Sequence, residues 1–163
     1  MEINDLIQRF SNTTENQCKA IFSTLFIAGN KLQTLFDNNI PEITLKQFML
    51  LTMVRQSKEQ LTLTQLGKLL GCSRQNIKKI AYVLENKGFV KIEQSHKDIR
   101  ASYIQPTEKL NDYFETVFHT YQEKLGYLFE VYTPHEIEQL FYLMMKLYDG
   151  IDHLERQTEN EKK

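Results

Sequence analysis

Residues 61–80 read LTLTQLGKLLGCSRQNIKKI, and from residue 63 onward this stretch has the spacing of a helix, a tight glycine turn and a second helix. Gly71 can adopt the positive φ at which the first helix ends, and Ser73 can cap the second by accepting from the backbone near Asn76. Gly67 lets two helix backbones approach closely. The predicted apolar faces consist of Leu66, Leu70, Ile77 and Ile80. The stretch therefore predicts a helix-turn-helix.

The exposed start of the second helix carries side chains that can donate to phosphates and base edges. Gln75 and Asn76 suit adenine, with which each forms paired hydrogen bonds, whereas Arg74 suits guanine or a phosphate. We expect Lys78 and Lys79 to contact phosphates. A polar run on a helix is often only a solvated face, but its place in a helix-turn-helix favours DNA. The predicted DNA-binding set in this helix is Ser73, Arg74, Gln75, Asn76, Lys78 and Lys79.

The distribution of charge supports a DNA face in the middle of the chain. The 163 residues have a formal net charge of −1, which by itself argues against a nucleic-acid partner. Residues 64–109, however, hold nine Lys and Arg against four Asp and Glu, a local charge of +5, and the remainder carries −6. The sequence therefore predicts a basic central region between two acidic flanking regions.

Composition excludes several classes of protein. Hydrophobic residues make up 41% and charged residues 25%, an ordinary globular balance. The two cysteines, with no apolar run near 18 residues and no secretory leader, predict a cytoplasmic protein without disulfides or membrane spans. We find no pairing of nucleophile and base, glycine-rich phosphate loop or metal signature, so we expect neither an enzyme nor a cofactor.

Periodicity predicts helices on both sides of this centre. Apolar residues at three- and four-residue steps predict a short helix near residues 3–10 and a long amphipathic one over 14–36. Thr44 and Gln47 form a capping box that opens a helix to about Val54. Residues 61–63 read as a short strand. Alternating patterns at 90–94 and 99–105, around the polar turn SHKD, predict a β-hairpin.

The C-terminal third predicts two long helices. Thr107 can cap a helix whose apolar stripe runs from Leu110 to Tyr132, and Thr133, Pro134 and Glu136 supply the start of another. These stripes exceed what a small winged domain can cover, so we expect a homodimer. Its two-fold symmetry would set two recognition helices about one DNA turn, roughly 34 Å, apart on a pseudo-palindromic site.

Three segments resemble the MarR family of bacterial transcriptional regulators: ITLKQFMLL at 43–51, LTLTQLGKLLGCSRQNIKKIAYVLENKGFV at 61–90 and DIRASYIQPTEKL at 98–110. The resemblance covers nearly the whole chain. It implies a mainly α fold with a small β-hairpin wing, in which a winged helix-turn-helix lobe (41–106) lies between helical dimerisation arms (1–40 and 107–163). It further implies a homodimeric DNA-binding regulator, most often a repressor, that responds to a small ligand or oxidant.

The same resemblance assigns roles in the wing. Arg100 matches the family arginine that enters the minor groove, and Asp98 matches the aspartate that orients it. Ile99 stands where many members have another basic residue, which lowers the charge of the wing. Lys97, at the hairpin tip, is a candidate phosphate contact, with a solvated turn as the alternative.

Other residues leave alternatives open. Cys72 reads as part of the core, whereas Cys18, on the apolar stripe of the first long helix, is predicted either to pack in the core or dimer or to sense oxidants. Tyr113, Phe114 and Phe118 either line a pocket for a small aromatic effector or belong to the core. The spacing of the histidines does not match that of a metal site, so we expect none. The alternative function is a protein-interaction module without sequence-specific DNA reading.

Overall fold

The computed structural model describes residues 3–94 and 101–161, and the chain divides into two compact units, residues 1–116 and 117–163. The described residues form seven helices and three strands. In chain order they are α1 (Ile3–Phe10), α2 (Thr14–Asn39), α3 (Leu45–Gln56), β1 (Leu61–Thr62), α4 (Leu63–Leu70), α5 (Arg74–Asn86), β2 (Val90–Gln94), β3 (Ser102–Pro106), α6 (Glu108–Phe129) and α7 (Pro134–Asn160).

The mainly helical class with a small hairpin is confirmed. The strands form one antiparallel sheet in the order β1-β3-β2, with Ile104 of β3 opposite Leu61 on one side and Ile92 on the other. The predicted strand at 61–63 is one residue shorter, because Thr62 caps α4 and Leu63 begins that helix. A third strand beside the hairpin gives the sheet of a winged helix-turn-helix.

The hydrophobic core of the first unit lies between α3, α4, α5 and the sheet. Leu66 and Ile77, which the sequence placed on the apolar faces, have no exposed surface, while Leu70 and Ile80 are half-buried. Phe48 and Phe114 pack with ring centroids 5.3 Å apart. Side chains with less than 2% exposure fill the centre: Leu50, Leu51, Leu66, Ile77, Leu84, Phe89, Val90 and Leu110. Burial on this scale is the main favourable term that holds the lobe together.

Local hydrogen bonds start the helices where the sequence placed them. Thr44 with Gln47 and Thr133 with Glu136 both form capping boxes, and a third, Thr62 with Gln65, opens α4. The start of α6 differs in detail from the prediction. The Thr107 hydroxyl lies 2.7 Å from the Gly88 carbonyl oxygen and donates there, tying the helix start to the turn after α5.

The predicted arm helices are present, but many apolar side chains of α1, α2 and α7 are exposed. No residue of α1, α2 or α7 is buried, whereas their sequences carry stripes suited to packing. Cys18 is exposed on α2, so the core of the single chain is excluded among its predicted places, while packing in a dimer and oxidant sensing stay predictions. None of the described helices is long and apolar enough to cross a membrane.

Candidate nucleic-acid interface

The turn between α4 and α5 is built by two glycines. Gly71 ends α4 at φ 62°, a left-handed conformation that a glycine adopts without steric cost. At Gly67 an added Cβ would lie 2.7 Å from the carbonyl oxygen of Cys72. The close approach predicted for Gly67 is therefore real, but it is made by the turn backbone ahead of α5. The Cys72 amide donates to the Gly67 carbonyl at 2.8 Å, which closes the turn.

Ser73 sets the start of α5. Its hydroxyl accepts from the backbone N–H of Asn76 at 3.2 Å, as the sequence predicted for the N-cap. One face of α5 then buries Ile77, Ala81 and Leu84 against the lobe. Because an α-helix turns about 100° per residue, the opposite face is free to meet a partner.

The predicted helix residues occupy the N-cap and the first two turns of α5. All six are exposed: Ser73, Arg74, Gln75, Asn76, Lys78 and Lys79. Gln75 and Lys79 are one turn apart, so they share one line along the helix. Lys97, Asp98 and Arg100 lie outside the described residues, and their assignment to DNA stays a prediction.

Sequence reasoning missed two further residues of α5, the exposed Tyr82 and the half-buried Glu85. The ammonium of Lys78 lies 5.6 Å from the centre of the Tyr82 ring, which is 47% exposed. A cation–π contact of this kind restrains a long side chain. Glu85 accepts from the amide of Ile92 at 2.7 Å and thereby joins α5 to the wing strand β2. The i, i+4 spacing of Lys78 and Tyr82 was the signal available in the sequence.

The structure also describes the other residues that the sequence singled out. Cys72 is half-buried rather than in the core, with its thiol 3.4 Å from the Leu70 carbonyl oxygen. Tyr113 and Phe114 pack in the core of the first unit, while Phe118, which belongs to the second unit, is 48% exposed. Among the described residues no group of three or more His, Cys, Asp or Glu is arranged to hold a metal ion.

Comparison with known proteins matches the same part of the chain. The model of the MarR family matches residues 43–102, which include α3, the helix-turn-helix and β2. The chain carries a MarR-family domain. The family consists of transcriptional regulators and not of enzymes.

The MarR-family domain also has curated and structural relatives. The transcriptional repressor MprA of Escherichia coli K12 is 29% identical over 107 residues, which are 66% of this chain and 61% of MprA. The chain thus matches under two thirds of the length of that relative. Sco3205, a MarR family regulator from Streptomyces coelicolor solved in complex with DNA, superposes with a TM-score of 0.74 at 19% identity over 85% of this chain and 92% of its own.

A third relative is BpsR of Bordetella bronchiseptica, whose DNA binding is regulated by 6-hydroxynicotinic acid. It has a TM-score of 0.70 at 18% identity and covers 79% of this chain and 98% of its own. At these identities the two structures establish the fold that the MarR-family domain shares with them.

Proposed function

We propose that this protein is a sequence-specific DNA-binding transcriptional regulator of the MarR type that places α5 in the major groove. The observation that carries the proposal is the open face of α5, where amide and cationic donors surround a capped helix start. The local charge of +5 over residues 64–109 favours the same face for DNA. By analogy with MprA, we propose that the protein represses transcription.

The roles we assign to the side chains follow their chemistry. Gln75 and Asn76 read adenine edges, and Arg74 reads guanine or holds a phosphate. Lys78 and Lys79 bind phosphates and fix the register on the duplex. In the wing, Arg100 enters the minor groove with Asp98 beside it, and Lys97 contacts a phosphate.

We propose that the protein acts as a cytoplasmic homodimer on a pseudo-palindromic site. The support is the exposed apolar surface of α2 and α7, where Phe22 and Phe26 are 64% and 61% exposed and Leu143 and Tyr148 are 67% and 64% exposed. Surfaces of this kind mark sites of association. Residues 1–40 and 107–163 are the arms in this proposal, and residues 41–106 are the DNA-binding lobe.

Regulation in this proposal acts through the spacing of the two α5 helices. A small aromatic effector or an oxidant would shift that spacing, since a rigid duplex selects one distance between half-sites. Cys18 is exposed on α2 and therefore accessible to an oxidant. Of the three residues proposed for an effector pocket, Tyr113 and Phe114 are occupied by core packing in the single chain, and Phe118 offers an exposed ring.

Selection of DNA from a random pool tests the function. We expect the wild-type chain to enrich one pseudo-palindromic sequence, with affinity that falls steeply as salt rises. Replacing Gln75→Ala together with Arg100→Ala should lower affinity for the selected duplex by at least about 30-fold, because each removes a base or groove contact. Gln157→Ala with Arg156→Ala removes the same residue types from α7 and serves as the control.

The outcome separates the two candidate functions. Enrichment that is lost in the first double variant and kept in the control supports sequence-specific regulation. Binding of all sequences alike, or unchanged selection in the first variant, would favour the protein-interaction module.

A further inference from the structure

The loop between α2 and α3 holds one residue in an unusual conformation. Glu42 has φ 70°, and among the described residues it is the one non-glycine with a positive φ; the glycines in this region of φ are Gly71 and Gly88. An L-amino acid is disfavoured there because its Cβ crowds the backbone. Contacts from elsewhere in the lobe must therefore hold Glu42 in place.

The first of these contacts comes from the end of α5. Lys87 is the C-cap residue of that helix, and its ammonium donates to the backbone carbonyl of Glu42. The same ammonium lies 3.4 Å from the side-chain oxygen of Gln47, which belongs to the capping box of α3. The C-terminal end of the recognition helix is thus attached to the loop.

The second contact comes from the first turn of α6. The Lys109 ammonium donates to the Lys87 carbonyl at 2.8 Å and lies 3.7 Å from the Glu42 carboxylate. It also lies 4.4 Å from the centre of the Phe89 ring. A cation beside a terminal carbonyl of α5 interacts favourably with the helix dipole. Lys109 therefore links the end of α5 to both the loop and α6.

A buried tyrosine closes the arrangement. The Tyr113 hydroxyl donates to the Pro41 carbonyl at 2.7 Å, and its ring packs against Phe89 with centroids 5.1 Å apart. Burial, followed by the negative charge of Glu42, raises the pKa of Tyr113 to about 12, so the phenol stays a donor over the physiological range. The loop is held at two adjacent carbonyls by side chains from α5 and α6.

We propose that Glu42, Lys87 and Lys109 are positioning residues that fix the C-terminal end of α5 in the orientation required for operator binding. The side chains of Lys109 and Glu42 are 50% and 56% exposed, and exposed ion pairs contribute little to stability. Their geometric effect is the larger one, because the turn at Gly71 fixes one end of α5 and this cluster fixes the other. The inference rests on the proposed function.

The sign of the charge effect makes the inference testable. Glu42→Gln removes a negative charge, which on electrostatic grounds alone favours DNA binding. We expect instead about 5-fold weaker binding to the selected duplex, with binding to random DNA unchanged or slightly tighter, since positioning affects only the specific complex. Glu108→Gln removes the same charge one residue from Lys109 and should leave specific binding unchanged.

A second variant separates positioning from folding. Glu42→Gly accepts the positive φ and removes the carboxylate, so its thermal midpoint should equal or exceed that of Glu42→Gln, while its specific binding is weakened as much. Lys109→Met should weaken binding by a similar factor. The double variant Glu42→Gln with Lys109→Met should bind the selected duplex no more weakly than the weaker-binding single variant. Both substitutions remove the same interaction between the two side chains.

These results separate the positioning role of Glu42, Lys87 and Lys109 from the proposed DNA-binding function. A wild-type chain that selects no DNA sequence overturns both. A selective wild-type chain whose Glu42 and Lys109 variants bind as well as Glu108→Gln, or lose affinity only in proportion to their stability, overturns the inference alone.

Discussion

Helices α5 and α7 show how differently one chain can use an apolar stripe. The 13 residues of α5 bury Ile77, Ala81 and Leu84 in the lobe and leave a mostly polar surface exposed. The 27 residues of α7 bury none, and Phe141, Leu143 and Tyr148 are more than half exposed. The lobe is complete within one chain, whereas the arm presents the surface that we propose a second chain covers.

A charge on the apolar stripe of α7 should have the largest effect. Ile151→Glu places a carboxylate where the proposed partner packs, so we expect the mass in solution to fall from two chains of 19.3 kDa to one. Binding to the selected duplex should weaken by at least about 100-fold, because the two half-sites no longer bind together.

Its matched control lies two residues away. His153→Glu adds the same charge about 200° around the helix, away from the stripe, and should leave both the mass and the binding unchanged. Sedimentation and a titration of labelled duplex give the two readouts. Equal behaviour of both variants would contradict an interface on this stripe.

Gly67→Ala should have the next largest effect, confined to the lobe. The added Cβ would meet the Cys72 carbonyl oxygen at 2.7 Å, a backbone atom that cannot move without opening the turn. We expect a loss of about 2–3 kcal/mol in the free energy of unfolding, measured by urea denaturation.

A helical glycine with open space around it provides the contrast. Gly29 in α2 has nothing within 4 Å of an added Cβ, so Gly29→Ala should stabilise the single chain by up to about 1 kcal/mol through helix propensity. Destabilisation of similar size at both positions would show that the contact at Gly67 is not the cause.

Tyr113→Phe should change how stability depends on alkaline pH. The fold raises the pKa of Tyr113 from 10.0 to about 12, so its contribution is complete below pH 10 and is lost as pH rises from 10 to 12. The wild type should lose up to about 2 kcal/mol over that range relative to the variant. At neutral pH the variant should be about 1 kcal/mol less stable, since it lacks the hydrogen bond to Pro41.

The control for this titration is an exposed tyrosine of the arm. Tyr142→Phe removes a hydroxyl from a residue that is 64% exposed and serves as the matched loss of one tyrosine hydroxyl. Urea denaturation at several pH values measures all three proteins. A wild-type profile parallel to that of Tyr113→Phe would contradict the assigned role of burial.

The smallest expected effect is at the cap of α5. Ser73→Ala removes the oxygen that accepts from the Asn76 amide and should cost about 1 kcal/mol in the free energy of unfolding. Ser73→Thr keeps an accepting hydroxyl and should restore most of the loss. Unfolding in urea compares the three proteins, and equal losses in both variants would argue against capping.

The parts of the fold that the sequence predicted depend on neighbours along the chain. Capping boxes at Thr44 and Thr133, the turn at Gly71 and the cap at Ser73 each follow from residues at most three positions apart. Alternation likewise predicted β2 at its observed bounds and most of β3, which runs over Ser102–Pro106 where the pattern predicted 99–105. Residues close together in the chain determine each of these features, so the sequence was sufficient to predict them.

The parts that the sequence did not predict depend on distant contacts. Tyr113 bonds the Pro41 carbonyl 72 residues away, and Lys87 bonds the Glu42 carbonyl 45 residues away. No spacing rule identifies such partners. The positive φ of Glu42 could not be predicted either, because glutamate usually avoids this conformation. The sequence left the environment of Cys18 open for a related reason, since an apolar stripe does not reveal which surface covers it.

Footprinting of the complex on the selected duplex, together with its mass, tests the central claim most directly. A homodimer that inserts two α5 helices predicts two chains per duplex and two protected major-groove segments centred about one helical turn, roughly 34 Å, apart. One chain per duplex with a single protected segment would contradict the account.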